Sequence, residues 1–175
     1  MSNDRAPYRI RPEDAERYAV LRRRMLEESA WAFMSSPEED RGCDPAQTRA
    51  SLAGPCFEIM AIEGEGGRLL AAAGVRREDR AKRRHIASIW GVYVEPAARG
   101  SGLGRRVVES AIEVARGWEG VEVVQLCVVE SVAPPAKSGA RLLYESLGFE
   151  AWGTEPDAMR VGGKSYRDTH MYLRL

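Results

Sequence analysis

Histidine and cysteine are scarce in this chain: two and three residues of 175. Cys43, Cys56 and Cys127 are scattered and odd in number, with no CxxC or His/Cys ligand spacing. That pattern supports neither a disulfide scaffold nor a zinc motif. Cys127 lies in an apolar run and reads as a small buried hydrophobe. Long apolar runs are missing too. Nothing approaches the roughly 20 residues of a membrane span, and polar Met1 to Pro7 has no signal-peptide apolar region. Excess charge of either sign is absent, since 26 Lys and Arg balance 26 Asp and Glu. Bulk electrostatics therefore argue against a nucleic-acid partner. The basic clusters Arg22-Arg23-Arg24 and Arg80 to Arg84 read as a solvated helix face and a charged hairpin turn. There is no repeat and no linker, so residues 1–175 are expected to form a single domain, cytoplasmic by default, with no membrane partner.

What is present is an ordinary globular share of apolar residues, 44%, arranged as alternating strand and helix patterns. Tyr8 to Ile10 reads as a short strand, followed by a helix from Pro12 to about Glu28 with Ala15, Tyr18, Leu21 and Met25 on one stripe. Asp44-Pro45 opens a short second helix that stops before Gly54-Pro55. Phe57 to Ile62, Leu69 to Val75 and His85 to Val94 form three successive antiparallel strands. A third helix carries Leu103, Val107, Val108, Ala111, Ile112 and Ala115 on one face. Val121 to Val129 reads as a central strand covered on both faces, parallel to the strand before the helix. A fourth helix follows Pro134-Pro135 and runs to about Leu147, with Gly148 as its left-handed cap. Phe149 to Val161 and Ser165 to Leu175 close the chain as a hairpin. In the last strand Tyr166, Asp168, His170 and Tyr172 share one face. The sum is a mixed α/β fold.

The chain is organised around one junction. The strand ending Val92-Tyr93-Val94 meets Pro96, then Arg99-Gly100-Ser101-Gly102-Leu103-Gly104, then the helix beginning at Arg105. The first N–H groups of a helix have no internal partners and carry partial positive charge, and glycine lets an anion approach the backbone. The spacing Gly-x-Gly-x-Gly is not the dinucleotide fingerprint, and the Gly-Lys-Ser/Thr ending of a P-loop is absent.

The pattern Arg99-x-x-Gly102-x-Gly104 after Val-Tyr-Val-x-Pro closely resembles the acetyl-CoA motif of the GNAT N-acetyltransferase superfamily. A second block, Ala140 to Phe149, is similar to that family's Ala-x-x-Leu-Tyr-x-x-x-Gly-Phe signature. The resemblance runs along nearly the whole chain. It implies a mostly antiparallel seven-stranded sheet flanked by about four helices and splayed between strands four and five. It also implies acetyl transfer from acetyl-CoA to a primary amine by direct attack. On that reading the N–H groups of Arg99, Gly100, Ser101, Gly102, Leu103 and Gly104 cradle the pyrophosphate. The backbone of Val92, Tyr93 and Val94 flanks the pantetheine arm, and Arg99 and Arg105 add charge. Tyr144 falls on the general-acid tyrosine, which protonates the departing thiolate.

Two departures follow. The position where some members carry a basic glutamate is Ser88, which leaves His85, Glu130 and His170 as titratable candidates. The position of a cofactor-contacting Asn is Lys137, in a connection about five residues longer than the family pattern. The resemblance also implies that Glu28 to Phe33 and Asp157 to His170 wall the acceptor, a small-molecule amine or a peptide N-terminus, with Glu27, Glu28, Trp31 and Phe33 as the residues to bind it. A non-catalytic acyl-CoA-binding regulatory module is the alternative, a nucleotide-binding α/β protein a weaker third, and a homodimer is left open.

Overall fold

A computed structural model describes residues 5–132 and 138–175. A seven-stranded sheet, ordered β1-β2-β3-β4-β5-β7-β6, is its centre. The strands are β1 (Tyr8–Arg9), β2 (Phe57–Glu63), β3 (Leu69–Arg77), β4 (Ile86–Val94), β5 (Val123–Ser131), β6 (Glu150–Val161) and β7 (Lys164–Arg174). The helices are α1 (Ala15–Glu28), α2 (Pro45–Leu52), α3 (Leu103–Arg116) and α4 (Gly139–Ser146). Among the described residues no helix is long and apolar enough to cross a membrane.

Two apolar layers sandwich the sheet. On one side Val107, Val108, Ala111 and Ala115 of α3 pack against Val75, Ile89, Val124, Leu126 and Met171. On the other, Tyr18, Leu21, Met25 and Leu26 of α1 pack against Ile59, Ala61, Ala72 and Tyr93. The α1 sequence commits one stripe to this contact; its first turn is entered through a single 3-10 turn, Pro12–Asp14. Proline at a helix start costs nothing because its missing N–H has no partner there anyway.

Every strand pair is antiparallel except β4 with β5. That parallel ladder is short. It joins Ile86, Ala87 and Ser88 to Val123, Val124 and Gln125, and then the strands part. From Ile89 to Val94 the β5-facing edge of β4 has no ladder partner, so its polar backbone groups border an open V. The partner edge of β4 remains paired to β3, but through a bulge at Gly91-Val92, where Gly74 faces Trp90 and Ala72 faces Tyr93. Gly91 supplies the left-handed φ of 60° that the bulge needs. The long edge strand β6 tolerates Pro156, since an edge position need not donate to a ladder.

The expected order of elements holds, with the fifth strand shifted to Val123–Ser131 and the fourth helix confined to Gly139–Ser146. Two expectations fail. Cys127 is exposed, and one face of β5 is incompletely covered, with Gln125 half-buried and Val129 buried beyond Cys127. Val124, Leu126 and Val128 enter the α3 core, whereas Gln125 and Cys127 face the side where the sheet has opened. An apolar run cannot reveal that one of its faces borders a cleft.

Candidate active site

Gly100 and Gly102 take φ values of 77° and 83°, which bend the chain from β4 into α3. A Cβ at either would meet nothing within 4 Å, so the concave face of the turn is open. No side chain caps α3, whose first N–H groups lack intrahelical partners as at any helix start. Gly104 sits where a Cβ would lie 3.4 Å from Val94 and 3.5 Å from Leu143. Both are ordinary contact distances, and they place Leu143 of α4 beside the loop. Ser101 Oγ donates to the Ala98 carbonyl at 2.5 Å.

The two arginines predicted here do different things. Arg105 reaches one turn forward along its helix to Glu109 at 3.1 Å and across to Ser146 Oγ of α4 at 2.6 Å. Arg99 folds over the strand end: Nε donates to the Val94 carbonyl at 3.0 Å and the guanidinium lies 5.7 Å from the Tyr93 ring centroid. Its second contact is Glu28 Oε2 at 2.7 Å. Glu28 also accepts from Ser29 Oγ at 2.5 Å. The Ser29 hydroxyl and then Arg99 hold the Glu28 carboxyl below its ordinary range. The pair ties the end of α1 to the glycine loop. Tyr93 is pushed up to about 12, by burial first and then by the negative charges of Glu28 and Glu95.

Sequence inspection gave no sign of the role of Glu95. Its carboxylate is buried at the strand end and takes Arg24 from α1 and Arg68 from the β2–β3 turn, each at 2.7 Å. Its N–H donates to Leu70 and its carbonyl accepts from Ala98, both at 2.8 Å. This residue fixes where the glycine loop begins. Glu95→Gln should lower stability by about 1–3 kcal/mol, the usual worth of hydrogen bonds to a charged group. Urea unfolding with an unchanged slope reads that loss.

Tyr144 is buried near the glycine loop, with its ring edge-on to Phe149 at 6.0 Å. Gly148, at φ 91°, ends α4, and the Phe149 N–H closes back on the Tyr144 carbonyl at 3.0 Å. Burial raises the phenol above its ordinary value, so it stays protonated across the neutral range.

The base candidates divide by face. Glu130 is buried on the α3 and α4 side. It accepts from Ser138 N–H at 2.8 Å, Arg141 at 3.1 Å and Thr169 Oγ1 at 3.2 Å. Burial opposes its charge, yet the Ser138 N–H and Arg141 hold the carboxyl below its ordinary range. It is a structural anchor. His85 is exposed, and its carbonyl accepts from Glu122 and Val123 where the β4–β5 pairing starts. Ser88 Oγ donates to Glu78 Oε1 at 3.2 Å, so a carboxylate from just beyond β3 reaches the expected glutamate position. His170 lies opposite Cys127 in the β5–β7 ladder, with Sγ and Nδ1 3.0 Å apart. Lys137 lies outside the described residues.

The acceptor-side aromatics are also split. Phe33 packs into the α1 core and sits 5.5 Å from the Arg22 guanidinium. Trp31 instead is exposed and stacks on Tyr166 of β7 at 6.0 Å and 19°.

The sequence from residue 23 to 149 matches the family model described as "Acetyltransferase (GNAT) family". The chain belongs to this family. Among curated relatives, mycothiol acetyltransferase of Salinispora arenicola is 29% identical over 75% of the chain and 42% of its own length. The chain thus spans about two fifths of that relative. N-alpha-acetyltransferase RimI of Mycobacterium tuberculosis is 29% identical over 68% of each chain. A GNAT superfamily phosphinothricin acetyltransferase of Sinorhizobium meliloti, solved in complex with AcCoA, aligns with a TM-score of 0.79. That alignment covers 98% of this chain and 88% of the other at 17% identity, so the likeness is one of fold.

Proposed function

We propose that this GNAT protein transfers an acetyl group from acetyl-CoA to a primary amine by direct attack. The observation that carries the reading is the pairing of an open, uncapped glycine turn with the unladdered β4 edge beside it. A pyrophosphate fits the first, where N–H groups converge without a side chain in the way. An amide-bearing pantetheine arm fits the second by adding hydrogen bonds as an extra strand would. Val92, Tyr93 and Val94 then hold the arm, and Arg99 to Gly104 hold the phosphates, with Arg105 at the outer edge.

The thioester supplies the acyl group, and the chain's residues supply position and proton transfer. Tyr144 donates its phenolic proton to the sulfur as the C–S bond breaks. The attacking ammonium must first lose a proton, since an alkyl amine is mostly protonated at neutral pH. The Ser88–Glu78 pair receives it: Ser88 holds a water, and Glu78 takes the proton through that water. The exposed Trp31–Tyr166 stack walls the acceptor side and favours an amine carrying an apolar or ring portion. The acceptor classes in best accord with the relatives' names are small amines and peptide N-termini.

A thiol-release assay with an amine panel tests the whole reading; acetyl-CoA binding without acetylation of any amine would leave a non-catalytic acyl-CoA module. Within the active enzyme, Glu78→Gln should reduce kcat at neutral pH by about 10²-fold, at the low end for a general base. The deficit should shrink as pH rises and the amine deprotonates unaided. A pH-independent deficit would assign Glu78 a purely structural role.

A further inference from the structure

The open face of β5 and β7 carries a cluster that the acetyl-transfer reading does not use. Cys127, Asp168 and His170 present Sγ, a carboxylate oxygen and a ring nitrogen, all within 4.8 Å of one another. The fold makes the cluster: Cys127 is directly across the ladder from His170, and Asp168 sits two residues along the same face of β7. The chain spacing of 41 and 43 residues hides it from motif inspection.

Three features mark it as a ligand site. Asp168 is 3% exposed, yet its Oδ1 has no hydrogen-bond partner. A buried unsatisfied carboxylate oxygen is costly and asks for a cation or a donor. Cys127, in contrast, is exposed, so the trio is reachable from solvent. Lastly, the Trp152 ring packs on the His170 ring at 5.3 Å and fixes its orientation. Glu155, opposite Asp168 on β6, adds negative potential at the rim.

We propose that Cys127, Asp168 and His170 bind one zinc-class divalent cation, leaving a fourth position open to the acceptor-side cleft. Thiolate, imidazole and carboxylate together suit zinc, and three protein ligands with one vacancy is the pattern of exchange-competent rather than purely structural zinc sites. Two anionic ligands neutralise the ion. Zinc–sulfur and zinc–nitrogen bonds of about 2.3 and 2.0–2.1 Å in tetrahedral geometry hold S and N about 3.5 Å apart. The present 3.0 Å therefore opens by about half an ångström, a small rotation of the exposed Cys127 side chain. The bound ion would offer its fourth position to water or to a donor atom of the incoming acceptor. The proposal does not depend on which amine is acetylated.

The test is Co²⁺ titration of the chelator-stripped full chain, followed by competition with Zn²⁺. The expected result is one equivalent bound, with a near-ultraviolet thiolate-to-cobalt band that Zn²⁺ abolishes. Cys127→Ser should lose the band, and His170→Gln should weaken binding by about tenfold or more, at least the cost of losing a supporting residue. Cys43→Ser and Cys56→Ser should retain it. Far-ultraviolet circular dichroism without metal confirms that each variant is folded. Absence of the band in the parent chain, its survival in Cys127→Ser, or its loss in the Cys43 or Cys56 variants would overturn the site.

Discussion

Replacing Tyr144 by Phe should lower kcat by about 10²-fold or more while leaving acetyl-CoA affinity near that of the parent, the range for loss of a positioned general acid. The substitution removes one oxygen from a buried ring whose edge contact with Phe149 is kept. Burial raises the phenol's pKa, so the group that is lost is a neutral donor throughout the working pH range. A 10²-fold loss corresponds to about 2.7 kcal/mol of transition-state stabilisation. On the proposed mechanism the proton goes to the leaving sulfur, so the deficit should narrow with a thioester of a more acidic thiol, which departs without help. Phenylalanine at residue 144 also preserves the cap at Gly148, so melting should move little. Parallel loss of affinity and kcat would mean that Tyr144 packs the cofactor cleft and donates no proton.

How far such a site shows in the sequence depends on the range of the interaction. The glycine turn, the Gly148 cap and the parallel crossover are local or pattern-level features, and each appears where the residues point. The short β4–β5 ladder follows from a family resemblance rather than from periodicity. The Gly91 bulge carries a sequence signal, an isolated glycine inside an apolar run. Glu95 and Glu78 carry none, and of the Cys127 cluster only the shared face of Asp168 and His170 on the last strand is legible, not the thiol across from them. Their partners lie on other strands or helices, and a single acid or thiol in a strand carries no mark of what will face it. Cys127 shows the error at its sharpest. Its apolar neighbours signal burial, but the parting of β4 from β5 leaves that face of β5 uncovered at Cys127.

Gly74→Ala is the most damaging small substitution expected in the sheet. Gly74 faces Trp90 across β3 and β4, and an added Cβ would lie 2.2 Å from one indole carbon and 2.3 Å from the next. The ring cannot simply withdraw. Phe57 stands 5.5 Å from it on β2, and the Arg22 guanidinium is 5.7 Å from its centroid. Arg22 is itself pinned to Asp40 at 2.7 Å in a buried pair. Relief must therefore come from the β4 backbone at the adjacent Gly91 bulge, which sets the course of Val92 to Val94 along the open V. Overpacking of this kind costs about 1–3 kcal/mol or more, which for a domain of this size is a melting shift of about 2–12 °C. The folded fraction of Gly74→Ala should also bind acetyl-CoA more weakly, because the β4 edge has moved. Trp90→Leu alone should destabilise, yet adding it to Gly74→Ala should recover part of the loss. That gives a favourable coupling of about 1 kcal/mol or more in a double-mutant cycle. Strict additivity would show that the clash is relieved between the strands without involving Trp90, and would separate the shape of the acetyl-CoA edge from the glycine beneath it.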